Sequence, residues 1–276
     1  MKVLIVGGSG FLGAELVRQA TADGHATAAT YATRPGSLPG TAWHALDLRD
    51  PDRLDAVVAE TDPGVIINTT SGDADWEVTA EGPARLALAA AKHGCRLVHV
   101  SSDAVFSGTR GGPYDETCRP DPITPYGAAK AAAETSVRYL APDAVVARTS
   151  LIIGGIESAH VRVVHDLAAG RREGALFTDD IRCPVHVADL AAALLELAAT
   201  DAHGVHHLAG ADAVTRHELG LLIAQRDGLD PTRLARGLRA DTALPGALEV
   251  RLDSRATQRK LRTTLRGAHD FLAAST

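Results

Sequence analysis

The chain has 276 residues, with 28 basic and 34 acidic side chains, a net charge of 28 − 34 = −6. That balance is too mild, and too evenly spread, to suggest a nucleic-acid or membrane partner. The opening MKVLIVGGSG holds an apolar run of only about four residues, short of a signal peptide or a membrane span, so a cytoplasmic protein is expected.

The first half alternates short β-branched runs with longer Ala/Leu-rich stretches, the pattern of βαβ units on a parallel sheet. KVLIV (2–6) is the first predicted strand. It runs straight into GGSGFLG (7–13), which opens a helix over 11–22. Strand, glycine loop and helix in that order form a dinucleotide-binding turn. Gly7 makes the tight turn, Gly10 lets the backbone approach a pyrophosphate, and Gly13 permits close helix–strand packing. The N–H groups at the helix start then meet the phosphate, with Phe11 and Leu12 completing the candidate cofactor segment.

A second strand is predicted at ATAATY (26–31). The loop that leaves it, TYATRPG (30–36), lacks the acid that would grip the ribose hydroxyls of NAD. Thr33 and Arg34 instead suit a 2′-phosphate, which favours NADP and leaves NAD as the alternative. After a short third strand, WHALDL (43–48), Asp47 and Leu48 are candidates for the adenine side, whereas Asp50 before Pro51 reads as the cap of the next helix. The fourth strand, GVIINTT (64–70), brings Asn68 and Thr69 to its end. Asn68 either borders the nicotinamide crevice or satisfies backbone groups there.

A helix over 81–94 ends at Gly94, and RLVHVSS (96–102) is the fifth strand. Ser101, Ser102 and Asp103 fall at its carboxyl end, where ligands bind in such sheets. Ser102 can donate to a substrate carbonyl, while Ser101 reads as the end of the strand. In PYGAAKAAAE (125–134), Tyr126 and Lys130 share one helix face. A nearby ammonium is expected to bring the phenol, with its ordinary pKa near 10, toward the working pH. Tyr126 then becomes a proton donor to a carbonyl oxygen.

AVVARTS (144–150) is the next strand, followed by helices over 157–170 and 187–199 and a late strand at GVHHLAG (204–210). Three or so short helices are expected in 211–276. The expected division is a dinucleotide-binding domain of residues 1–150 and 184–208, with a smaller lobe from 151–183 and 209–276. Cys95, Cys118 and Cys183 are scattered and odd in number, and read as reduced thiols. His203, His206 and His207 lack a fourth ligand at metal spacing, so no metal is expected. Arg182 could grip a substrate diphosphate, but reads first as an exposed arginine in a surface salt bridge.

Together GGSGFLG, SSDAVFSG, GPYDETCRPDPITPYGAAKAAAE, VARTSLIIG and RCPVHVADLAAALLEL resemble the extended short-chain dehydrogenase/reductase superfamily. Within it, they resemble the dTDP-4-dehydrorhamnose reductase branch. The resemblance implies an α/β fold, a Rossmann-type doubly wound parallel sheet with a smaller mixed α/β substrate lobe. It also implies that Ser102, Tyr126 and Lys130 form the catalytic set, with Lys130 holding the nicotinamide ribose as well. The expected activity is NADP-dependent reduction of a nucleotide-linked 4-keto-6-deoxy sugar. The alternatives are a sugar-nucleotide epimerase and a non-catalytic cofactor-binding regulatory subunit. A homodimer is the commonest assembly for such enzymes. The chain departs from the branch at Thr79, where an asparagine is usual, at Leu151, where an aromatic is usual, and in the short segment 68–79.

Overall fold

The computed structural model describes residues 1–243 and 245–273. Its centre is a seven-stranded sheet formed by β1 (Lys2–Val6), β2 (Ala26–Tyr31), β3 (Ala42–Ala45), β4 (Val65–Asn68), β5 (Arg96–Ser102), β6 (Val145–Thr149) and a late strand, Gly204–Leu208. The spatial order is late strand–β6–β5–β4–β1–β2–β3, and every pairing is parallel. Residues Val3–Val6 and Val65–Ile67 are essentially unexposed because helices cover both faces of the sheet. This explains why those strands read as unbroken apolar runs.

One face is covered by α1 (Phe11–Ala22) and a helix at Val187–Ala198, whose Leu16, Val17, Leu190 and Leu194 meet Val3, Ile5 and Ile67. The other face is covered by α2 (Pro51–Thr61), α3 (Gly82–His93) and α4 (Pro125–Leu140), with Leu54, Leu86 and Val137 over Leu4, Ile66 and Val146. Asp50 caps α2 by accepting from the Arg53 N–H at 2.9 Å. Thr124 caps α4 by accepting from the Gly127 N–H at 3.0 Å. Gly127 is also a matter of space, since a Cβ there would sit 2.1 Å from the Ala104 carbonyl oxygen.

Two boundaries differ from the sequence reading. The third strand ends at Ala45 instead of running to residue 48, because Leu46 and Leu48 already turn into the core beside α2. The helix expected at 81–94 is preceded by one wide turn, Glu77–Glu81, in which the Gly82 N–H reaches back five residues to Glu77. Pro83 has no N–H to bond the carbonyl four residues before it, so the tighter ladder cannot start there.

After β6 the chain runs through β7 (Ile152–Ile153), α5 (Ala159–Ala168), β8 (Leu176–Phe177), β9 (Ile181–Arg182) and β10 (Val185–His186), of which β7, α5 and β8 contribute to a second core. It returns to the sheet through α6 (Val187–Ala198) and β11 (Gly204–Leu208), then adds β12 (Val214–Thr215), α7 (Arg216–Asp227) and β13 (Arg236–Gly237). The strands outside the main sheet pair only in twos: β7 with β10, β9 with β12, and β8 with β13. Among the described residues, no helix is long and apolar enough to cross a membrane.

Candidate active site

Strand order reverses at β1, whose neighbours are β2 and β4, and in open parallel sheets this reversal is where ligands bind. The glycine loop lies on one side of it. Gly7 has φ +85°, a left-handed value that favours glycine, and its N–H is fixed by donation to the Thr30 hydroxyl at 3.0 Å. A Cβ on Gly13 would meet the Gly7 carbonyl oxygen at 2.1 Å, so helix α1 can approach the strand only with glycine at that position. Gly10 precedes α1 as its cap, without a side chain to satisfy the first N–H groups. Those free donors suit a phosphate. The Thr69 hydroxyl donates to the Val6 carbonyl at 3.0 Å and so ties the β4 loop to the glycine loop.

The remaining cofactor candidates divide by direction. Thr33 and Arg34 are exposed beyond β2, and among the described residues no salt bridge occupies Arg34. Asp47 is exposed too, its carboxylate paired with Arg49 at 2.9 Å. Leu12 and Leu48 send their side chains into the two cores, so only their backbone faces outward, while Phe11 is half-buried against Gly154. Asn68 is fully buried; it accepts from the Thr70 N–H at 3.1 Å and the Thr70 hydroxyl at 2.7 Å, and lies 3.2 Å from His99. Of its two readings, the observed contacts are those of a group closing the strand end.

The opposite wall carries the acid–base candidates. Lys130 is buried on α4 and donates to the carbonyls of Val100 at 3.1 Å and Thr70 at 3.3 Å. Burial holds its ammonium down to about 8. Tyr126 lies one turn earlier, with the hydroxyls of Ser102 and Ser71 near enough to favour its ionised form. Their effect is outweighed. Burial, reinforced by Asp103 and Asp73, raises the phenol above its ordinary value. This corrects the expectation that Lys130 pulls it down: the ammonium is directed at two backbone carbonyls, and the phenol is dominated by desolvation. Ser102 accepts from the Ala104 N–H at 3.1 Å and donates to Asp103 at 3.3 Å.

Two further expectations are overturned. Ser101 does not end the strand; it lies within β5 and donates to Glu134 at 2.6 Å, and Glu134 is clamped by Arg148 at 2.8 Å, both carboxylate and guanidinium being buried. Arg182 is not an exposed surface arginine. Its side chain is only 12% exposed, held by Asp180 at 2.8 Å and lying 3.6 Å from Asp103. Its neighbours in space are Arg239, 3.5 Å from Asp180, and the half-buried Arg216, 3.4 Å from His160. Burial and the Arg216 charge hold His160 down to about 4, so it is neutral. The three guanidiniums gather around the carboxylates of Asp103 and Asp180, while Asp179 accepts from the backbone N–H groups of Arg239 and Ala240 at 2.6 and 3.0 Å.

His206 and His207 are adjacent on β11 and point to opposite faces, His206 bonding the region of Thr257 at 3.2 Å. Among the described residues no group of three His, Cys, Asp or Glu side chains gathers as a metal site. Thr79 is fully buried; its hydroxyl accepts from Gly72 and donates to the Asp73 carbonyl, both at 3.0 Å, pinning the loop that carries Ser71. Leu151 packs against the second core. Sequence reasoning missed Ser71, Ser150, Asp180, Arg216 and Arg239. Ser71 could have been found from its place just past a strand end, as Ser102 was. The arginines meet only through tertiary structure.

A family model described as the RmlD substrate binding domain matches residues 1–266. A dTDP-4-dehydrorhamnose reductase of Mycobacterium tuberculosis is 34% identical over 249 residues, covering 84% of this chain and 78% of that protein. A probable low-salt glycan biosynthesis reductase of Haloferax volcanii is 31% identical over 263 residues, covering 90% and 87%. In fold, the chain is similar to a dTDP-4-dehydrorhamnose reductase of Bacillus anthracis solved with NADP, with a TM-score of 0.83, 23% identity, and coverage of 98% and 96%.

Proposed function

The chain belongs to the RmlD substrate binding domain family, and from that membership we propose that it is an NADP-dependent ketoreductase acting on a nucleotide-linked 4-keto-6-deoxy sugar. The observation that carries this reading is the meeting of Ser102, Tyr126 and Lys130 at the strand ends beside the glycine turn. The names of the relatives point the same way: the mycobacterial protein is a reductase of a nucleotide-linked keto sugar, and the haloarchaeal one a probable reductase of glycan biosynthesis.

The cofactor's place is supported by the fit of the residues. Gly7, Gly10 and Gly13 with the open start of α1 would hold the pyrophosphate, Thr33 and Arg34 the 2′-phosphate, and Asp47 the adenine amino group. NADPH, when bound, supplies a hydride to the carbonyl carbon. Tyr126 gives its phenolic proton to the carbonyl oxygen. Burial keeps that proton on the phenol at neutral pH, which suits the reductive direction. Ser102, whose hydroxyl proton is directed at Asp103, would turn it to the same oxygen. Lys130 spends two donors on Val100 and Thr70, and an ammonium has three, so one remains for a ribose hydroxyl. Arg182, with Arg216 and Arg239, would receive the substrate diphosphate, and the segments 151–183 and 209–276 would form the substrate lobe.

The test is to follow NADPH while offering a panel of nucleotide-linked keto sugars. Stoichiometric NADPH loss is expected. Isomerisation without net loss would indicate an epimerase instead, and tight NADPH binding without turnover would indicate a regulatory subunit.

A further inference from the structure

Asp103 joins two parts of the molecule that the proposed mechanism treats separately. It stands on the short turn Asp103–Val105 that follows β5, its side chain 8% exposed. One carboxylate oxygen accepts from the Ser102 hydroxyl at 3.3 Å. The other accepts from the Ser150 hydroxyl at 2.6 Å and lies 3.6 Å from the Arg182 Nε. Arg182 continues to Asp180 at 2.8 Å, and Asp180 to Arg239 at 3.5 Å. A chain of charges therefore runs from the second lobe to the catalytic hydroxyls.

We propose that Asp103 is a positioning residue: it holds the Ser102 side chain in place, ready to turn its one hydroxyl proton to the carbonyl oxygen, and its charge, offset by Arg182, acts on the Tyr126 phenol. The inference rests on the assignment of Tyr126 as proton donor. The groups acting on the phenol are Asp103 and Ser102 from the end of β5 and Ser71 and Asp73 from the loop after β4, with Lys130 one turn further along its own helix. Lys130 is tied to backbone carbonyls, and Asp73 is exposed and screened. Asp103 is the buried carboxylate among them, so its field is the least weakened. Asp103 itself gives and takes no proton. The proton leaving Tyr126 goes to the carbonyl oxygen, and the phenolate recovers one from water.

Ultraviolet difference titration tests this without cofactor or substrate. Subtracting the Tyr126→Phe variant isolates ionisation of this one phenol. In Asp103→Asn, read against Asp103→Asn/Tyr126→Phe, the midpoint should move to lower pH, because a negative charge has gone. In Arg182→Gln it should move to higher pH, because Asp103 is then unpaired. In turnover, Asp103→Asn should lose about tenfold to a hundredfold in kcat with the KM for NADPH unchanged. An unmoved midpoint in either folded variant, or two shifts of the same sign, overturns the proposal. Opposite shifts in a protein that consumes no NADPH with any keto sugar would uphold the coupling and refute the reductase reading.

Discussion

Tyr126 and Lys130 show how far a spacing of four residues can be trusted. The spacing brings both to one face of α4, but the phenol sits high and the ammonium low, each displaced by burial against its charged form. For a reductase this is serviceable, since the acid must start protonated. Tyr126→Phe should lower turnover by about two to four orders of magnitude with NADPH affinity little changed, checked by steady-state rates and cofactor titration. Lys130 adds a pH signature. Its ammonium titrates at about 8 when folded and at its ordinary 10.5 when the chain unfolds. Between those values the unfolded chain binds the proton and the folded chain does not, so this site adds stability as pH rises across the window. Compared with Lys130→Met, the wild type should therefore gain relative thermal stability from pH 8 to 10.5. A difference that stays flat would refute the role of burial. At the cofactor end, Arg34→Ala should weaken NADPH binding about tenfold to a hundredfold and leave NADH binding alone, as loss of a charge-assisted bond to phosphate requires.

The elements that carry these residues differ in how firmly they are fixed. Helix α1 can lie against β1 only because position 13 has no side chain: a Cβ there would overlap the Gly7 carbonyl at 2.1 Å. Gly13→Ala must push helix from strand, so it should cost about 1–3 kcal/mol in denaturant unfolding and also impair NADPH binding. Helix α4 is held from beneath by Glu134, which accepts from Ser101 and from the Nε and Nη2 of Arg148, while Nη1 donates to the Cys118 carbonyl. Arg148→Met leaves that carboxylate buried and unpaired and should cost about 3–5 kcal/mol, measured by urea denaturation. The caps are legible in the sequence: Asp50 before Pro51 does cap α2, and Gly94, at φ +67°, ends α3 as its composition suggests. The wide turn at Glu77–Glu81 is not, because a proline near a helix start is ordinarily benign and only the following ladder reveals the detour.

Across the whole molecule, the sheet can be read because each strand is a local apolar run and each helix a local periodicity, and the parallel order follows from their alternation. The second lobe lacks such signals. Its strands are two residues long and take their partners from distant segments, as β9 does from β12. The arginine cluster is hidden for the same reason: Arg182, Arg216 and Arg239 stand 216 − 182 = 34 and 239 − 216 = 23 residues apart. Arg182 looks exposed in the sequence because nothing near it reveals Asp103 or the Ala247 carbonyl, both far along the chain, folding over it. Ser101 looks like a strand end because its partner, Glu134, lies on a helix 33 residues further on. On the proposed reading both halves of the molecule meet in one event, a proton donor on α4 working on a substrate held by the second lobe. Its most direct test is NADPH consumption with a nucleotide-linked 4-keto-6-deoxy sugar, in wild type and Tyr126→Phe side by side. One NADPH should be lost per sugar reduced in the wild type and almost none in the variant; equal consumption in the two, or none in the wild type, would rule that event out.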